Sequence, residues 1–197
     1  MAGVAAIIVA AGRGTRAGHD LPKQFWPIGG ETMVRRALSL FVNHAEVGCV
    51  QAVIRPEDQE RFRSSTAGFD ILPPAFGGVT RQASVRAGLE ALQPSNPYIV
   101  LIHDAARPFA SAALVSRAIA AAEKTGAAIP ALPVTDTIKM IDPAGFVGAT
   151  TRNLVFLRPS MIPKSGRRFS EKIMLQHNSW TMVRSDLIGP WCPARQS

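Results

Sequence analysis

Short apolar runs alternate with amphipathic stretches through the first 135 residues, and this alternation restricts the fold more than any other feature. The runs are GVAAIIVA (3–10), GCVQAVI (48–54), FDILP (69–73), PYIVLIH (97–103) and AAIPALPV (127–134). Each is too short for a buried helix and is rich in the residues that suit a buried strand. Between them lie helical patterns. ETMVRRALSLFV (31–42) puts Met33, Ala37, Leu40 and Phe41 on one stripe, and PEDQERF (56–62) has proline at a first helical position with acids in the first turn. TRQASVRAGLEAL (80–92) opens on threonine, and SAALVSRAIAAAEKTG (111–126) has lysine near its end and a glycine stop. Strand and helix in turn, with short connections, predict an α/β fold: a Rossmann-like, mostly parallel sheet with helices on both faces. Such sheets bind ligands at the carboxyl ends of their strands.

The pattern changes near Val134. VTDTIKMIDPAGFVGATT holds two short β-like runs around Asp142-Pro143-Ala144-Gly145, a turn sequence, and predicts a β-arm over about 134–152. A two-stranded arm is marginal alone, so a packing partner is expected, a second subunit being the natural one. The remaining chain, about 153–197, is an atypical basic tail. Residues 149–197 carry 8 Lys+Arg against 2 Asp+Glu, while 1–148 carry 14 against 12. The whole is read as one 197-residue domain with an arm and a tail.

Composition removes several classes. At 47% hydrophobic and 18% charged the chain can bury a core. No apolar run approaches the roughly 20 residues of a membrane span, and the apolar N-terminus lacks a basic n-region. Cys49 and Cys192 form no CxxC pair and no HExxH is present, so structural zinc and disulfides are not expected and a cytoplasmic setting is. The net charge of +8 resides mainly in the tail, +6 there against +2 in residues 1–148, and the tail has neither a recognition helix nor interleaved aromatics. Nucleic acid is therefore a poor partner.

The loops after the strands carry the candidate chemistry. AAGRGTRAGHDLPKQ follows the first strand. Gly12 and Gly14 permit close backbone approach, Arg13, Arg16 and Lys23 add charge, and Ala10 and Ala11 keep the approach open. It is neither a P-loop nor GxGxxG, since Ala17 stands at the last glycine position, and by itself it fits a phosphate loop or an ordinary turn equally. FGGVTRQAS (76–84) repeats the theme with Gly77, Gly78 and Ser84: a plain glycine turn, or a second wall of a nucleotide pocket. In LIHDAARPF a buried strand ends in His103 and Asp104, followed by Ala105 and Arg107. An acid there needs a partner: Mg²⁺ held with substrate phosphates, or simply Arg107 closing the loop. His103 reads as a packing or hydrogen-bonding residue. TDTIK (135–139) reads as a solvated hairpin edge.

Taken together, AAGRGTR, LPKQF, GGVTRQASV, HDAARP and DTIK resemble, in order and spacing, the 2-C-methyl-D-erythritol 4-phosphate cytidylyltransferases over roughly residues 3–150. The ribitol-5-phosphate cytidylyltransferases share much of the set. The resemblance implies a nucleotidyltransferase-type fold and a Mg²⁺-dependent reaction of CTP with a sugar-alcohol phosphate that releases pyrophosphate. It implies nucleotide contacts at Ala10, Ala11, Gly12, Gly14, Gly78, Ser84 and Ala105, and charge neutralisation by Arg16 and Lys23. It further implies metal and substrate binding at Asp104, substrate contacts at Arg107, Thr137 and Arg152, and a homodimer joined by the arm.

After about Thr151 the TPQ-like and NxKxT-like segments expected of the family do not appear. Three readings of the tail compete: a divergent C-terminal region, a basic binding segment, and a shifted reading frame. The last is favoured because composition and motifs change together, and it leaves the sheet short of strands and the tail poorly ordered.

Overall fold

The computed structural model describes residues 3–12, 21–131, 138–151 and 181–184. Its centre is four parallel strands in the order β5-β4-β1-β6: β1 (Val4–Val9), β4 (Val47–Ile54), β5 (Leu72–Phe76) and β6 (Ile99–Asp104). A two-residue pair, β2 (Pro27–Ile28) and β3 (Glu31–Thr32), precedes the first helix. The helices are α1 (Met33–Val42), α2 (Gln59–Ser65), α3 (Arg81–Leu92) and α4 (Ala112–Thr125). α1, α3 and α4 begin where the sequence places a capping hydroxyl. Thr32, Thr80 and Ser111 accept the backbone N–H of Arg35, Ala83 and Leu114, contacts worth about 1 kcal/mol each. Gly126 ends α4 in the left-handed conformation.

Strand alternation sorts the core into two layers. Val4, Ala6 and Ile8 of β1 face a cluster with α1, α2 and α4, while Ala5 and Ile7 face Val85 and Leu92 of α3. Helices thus cover both faces. α3 lies close to the sheet at Gly88, where an added Cβ would stand 2.9 Å from both Ile7 Cγ2 and Val53 Cγ2.

Three local expectations need correction. The buried stripe of α1 is Val34, Ala37, Leu38 and Phe41, a regular i, i+3, i+4, i+7 set, in place of one through Met33 and Leu40. The helix starts at Met33 because Glu31 and Thr32 pair with Ile28 and Pro27. The third strand begins at Leu72, three residues after Phe69, and runs through Pro73 and Pro74, which an edge strand tolerates. The expected run at 127–134 forms only the two-residue strand β7 (Ala127–Ala128), with residues 132–134 outside the described segments.

The basic tail supplies a strand. β10 (Thr181–Arg184) lies antiparallel between β6 and β7, pairing Val183 with both Val100 and Ala127, so the edge of β6 away from β1 is paired. A separate compact unit carries the hairpin of β8 (Ile138–Ile141) and β9 (Val147–Thr151). Its turn closes as the sequence predicts: Asp142 Oδ1 accepts the N–H of Ala144 and of Phe146, and Gly145 takes a φ of 88°.

Candidate active site

Neighbouring parallel strands end together, and that alone brings the glycine loops and the acid to one edge. β1 and β6 pair in register with Val9 opposite Asp104, so Ala10 and Ala105 leave the sheet side by side. The ends are then tied: the Ala10 N–H donates to Val53 O at 2.7 Å, Ala105 N–H to Val9 O at 3.0 Å and Gly77 N–H to Ile54 O at 2.8 Å. Ala10 and Ala105 are both buried, so their side chains serve the core, not an open surface.

The two glycine loops touch. A Cβ on Gly77 would lie 2.5 Å from Ala11 Cβ and 2.7 Å from Ser84 Oγ, and one on Gly78 would lie 2.5 Å from Ala83 Cβ. Glycine is needed here for close approach of the first loop and the first turn of α3. Ser84 is buried and its hydroxyl is directed at the carbonyls of Thr80 (3.0 Å) and Gly78 (3.4 Å). It shapes the loop from behind.

Asp104 stands at the tip of β6, its side chain 24% exposed, between two arginines. Arg81 donates Nε and Nη2 to Oδ1 at 3.1 and 3.0 Å, and Arg107 donates Nε to Oδ2 at 3.2 Å. The pair with Arg107 that the sequence allowed is present, and Arg81 joins it. His103, fully buried, contacts the Phe41 ring at 5.1 Å between centroids, and its Nε2 meets the Arg107 carbonyl at 2.9 Å. Burial is the largest influence on its titration and lowers its pKa to about 4. The ring is neutral near pH 7, and its Nε2–H donates to that carbonyl. It is a support for the Asp104–Arg107 loop, as the sequence reading holds.

Lys23 lies on a 3₁₀ turn, Lys23–Phe25, whose Phe25 is buried in the core. Its exposed side chain lines a cleft of about 430 Å³ with Met33, Ala106, Arg107, Phe109 and Leu114. Two cations on one open, partly apolar cleft suit a phosphorylated organic ligand. Among the described residues no group of three or more His, Cys, Asp or Glu is placed to hold a metal by protein ligands alone. Asp104 offers one carboxylate, the number Mg²⁺ needs when substrate phosphates complete its shell.

The structure therefore brings Ala10, Ala11, Gly12, Gly78, Ser84, Asp104 and Ala105 to one sheet edge, with Lys23 and Arg107 on one cleft. Gly14, Arg16, Thr137 and Arg152 fall outside the described residues. Two residues were missed. Arg81 grips Asp104, and Gln24 donates to the carbonyls of Ala10 and Gly12. Both stand inside quoted motifs, LPKQF and GGVTRQASV, and only their partners were hidden.

Comparison with known proteins covers the segment in which these residues lie. The family model for 2-C-methyl-D-erythritol 4-phosphate cytidylyltransferase matches residues 4–177, past Thr151 where the recognised motifs end. A Nitrobacter winogradskyi protein described as bifunctional enzyme IspD/IspF is 60% identical over 146 residues, 74% of this chain and 37% of that protein. A protein of the same description from Bradyrhizobium sp. is 56% identical over 163 residues, 83% of this chain and 41% of its own length. The chain thus spans about two fifths of the curated relatives it matches. Among solved structures, the 4-diphosphocytidyl-2C-methyl-D-erythritol synthase of Anaerococcus prevotii superposes with a TM-score of 0.70 at 27% identity, covering 94% of this chain and 71% of that one. The 2-C-methyl-D-erythritol 4-phosphate cytidylyltransferase of Thermus thermophilus gives 0.57 at 34% identity, covering 76% and 63%.

Proposed function

The chain belongs to the 2-C-methyl-D-erythritol 4-phosphate cytidylyltransferase family, and from that premise we propose that it transfers a cytidylyl group from CTP to 2-C-methyl-D-erythritol 4-phosphate. A phosphate oxygen of the sugar alcohol bonds to the α-phosphorus of CTP, the bond from that phosphorus to the bridging oxygen breaks, and pyrophosphate leaves. The product, CDP-methylerythritol, is an intermediate of non-mevalonate isoprenoid synthesis. The observation that carries the reading is the Val9–Asp104 register, which sets a glycine loop beside an acid at the end of a parallel sheet.

Two polyanions must be brought together in this reaction, so positioning and charge neutralisation supply most of the catalysis. In this reading the Ala10–Gly12 loop with Gly14, the Gly78–Ser84 turn and Ala105 surround the nucleotide. Lys23 and Arg16 neutralise charge developing on the triphosphate, and Arg107 meets the second substrate in the cleft it shares with Lys23. Asp104 would hold Mg²⁺, which when bound screens the phosphates and orients them. Arg81 and Arg107 hold that carboxylate in place beforehand.

The reading includes a homodimer joined by the hairpin, to whose partner site Thr137 and Arg152 would contribute. Its support is the exposure of Met140, Ile141, Phe146 and Val147 on a two-stranded element with little core of its own. No helix among the described residues is long and apolar enough to cross a membrane. A cytoplasmic setting fits a need for CTP. A pyrophosphate-release assay with CTP and Mg²⁺ tests the proposal. Methylerythritol phosphate should turn over and ribitol 5-phosphate should not. Absence of release together with no CTP-dependent rise in melting temperature would sink it.

A further inference from the structure

Gln24 is 4% exposed, and its amide nitrogen donates to two carbonyls of the first glycine loop, Ala10 O at 2.7 Å and Gly12 O at 3.1 Å. Those two contacts match the two hydrogens of a primary amide, set on residues that flank Ala11. The loop end is held from the opposite side as well, by the Ala10 N–H to Val53 O. The turn that bears Gln24 is equally anchored. Phe25 is buried in the core, Trp26 N–H donates to Lys23 O at 3.0 Å, and Trp26 O accepts the Met33 N–H at the start of α1. The side chain next in sequence, Lys23, opens onto the cleft. One amide therefore joins the backbone of one wall to the turn that carries a cation of the other.

We propose that Gln24 is a positioning residue of the site: its buried amide sets the spacing between the Ala10–Gly12 backbone and Lys23, so that loop and cation meet the same phosphates. The inference deepens the cytidylyltransferase reading, and its catalytic half rests on that reading. Two carbonyl oxygens converging on one nitrogen require a group with two N–H bonds at one point. A carboxylate in the same place would set acceptor against acceptor. Fixing such a spacing matters because a displacement of about 1 Å in a reaction run by positioning can cost about 100-fold in rate.

The charge-sensitive variant Gln24→Glu separates this role from simple packing. Its carboxyl, buried and facing two carbonyls, should titrate well above the usual carboxylate range, because burial and the absent donors disfavour the charged form. Protonated, it can donate to one carbonyl, whereas ionised it repels both. The expected result is a variant-to-wild-type kcat ratio near 0.01 at high pH, rising about tenfold or more as pH falls to 6, with KM for CTP altered less than about threefold. Gln24→Met, similar in length but without donors, should be slow at every pH. Circular dichroism and melting temperature establish that each variant is folded. Turnover of both within twofold of wild type at all pH values overturns the proposal. So does failure of both to fold, because the side chain would then hold the fold and not the site. If the wild type itself releases no pyrophosphate and CTP does not raise its melting temperature, the functional reading fails; whenever the wild type shows no turnover, amide exchange decides the positioning claim by itself. Exchange over residues 10–12 and 21–26 should quicken at least tenfold in Gln24→Met with α4 unchanged, and unchanged exchange there overturns it.

Discussion

Lowering the pH from 7.5 to 4 should destabilise this protein through the buried ring of His103. The imidazole is fully buried against Phe41, and its pKa falls from 6.5 to about 4, chiefly through desolvation of the charged form. Asp104 and the Arg107 carbonyl favour the proton and the Arg107 charge opposes it, but burial prevails. The unfolded chain thus binds a proton at a pH where the folded chain does not, so stability is complete above 6.5 and declines as pH falls toward 4. At 1.36 kcal/mol per unit, the loss is about 2 kcal/mol at pH 5 and about 3 kcal/mol at pH 4. Urea unfolding of the metal-free protein at several pH values measures it, set against His103→Gln, which keeps an N–H donor for the Arg107 carbonyl but cannot titrate. With an m-value of roughly 2 kcal/mol/M, the wild-type midpoint should fall about 1 M further than the variant's between pH 7.5 and 5. Midpoints of the two proteins that fall in parallel across that range would refute a buried neutral His103.

Replacing Lys23 by alanine should lower kcat about 100-fold in pyrophosphate release while leaving the melting temperature near wild type, because the side chain is exposed. Gly88→Val puts methyl groups where a Cβ already comes within 2.9 Å of Ile7 and Val53, and should cost about 1–3 kcal/mol in denaturant unfolding. Thr80→Ala removes the cap of α3 behind the second glycine loop. It should cost about 1 kcal/mol and weaken CTP binding in calorimetry, since the same turn carries Gly78 and Arg81. In the proposed homodimer, Phe146→Ser on the hairpin should raise the monomer fraction in sedimentation without changing the far-ultraviolet spectrum.

What could be read in advance divides by the range of the interaction. Strand runs, caps and turns depend on residues within a few positions of one another. Thr80 and Ser111 as helix starts, Gly126 as a stop and Asp142–Gly145 as a turn were therefore visible. That the loops after β1 and β6 share one sheet edge was legible from two apolar runs, whereas the pairing of Val9 with Asp104 appears only in the fold. Stripe phase is less robust, because Met33 and Leu40 are as apolar as Val34 and Leu38. Only the sheet beneath α1 chooses between the faces.

The two missed residues show the limit most clearly. Glutamine and arginine are surface residues by habit, and nothing within several positions of Gln24 or Arg81 marks them as buried or paired. Their partners stand 14 and 23 positions away, Ala10 across the glycine loop and Asp104 on the neighbouring strand system. The acid at the end of β6 was recognised as needing a counter-charge, which is a statement about energy. Which cation answers it is a statement about topology. Arg107 was the local answer, three residues on, while Arg81 arrives only because α3 begins at the same sheet edge where β6 ends. The same reasoning separates Gln24 from Lys23 in LPKQF. The charge of Lys23 is displayed by the sequence, whereas the two carbonyls that converge on Gln24 are brought together only by the folded loop.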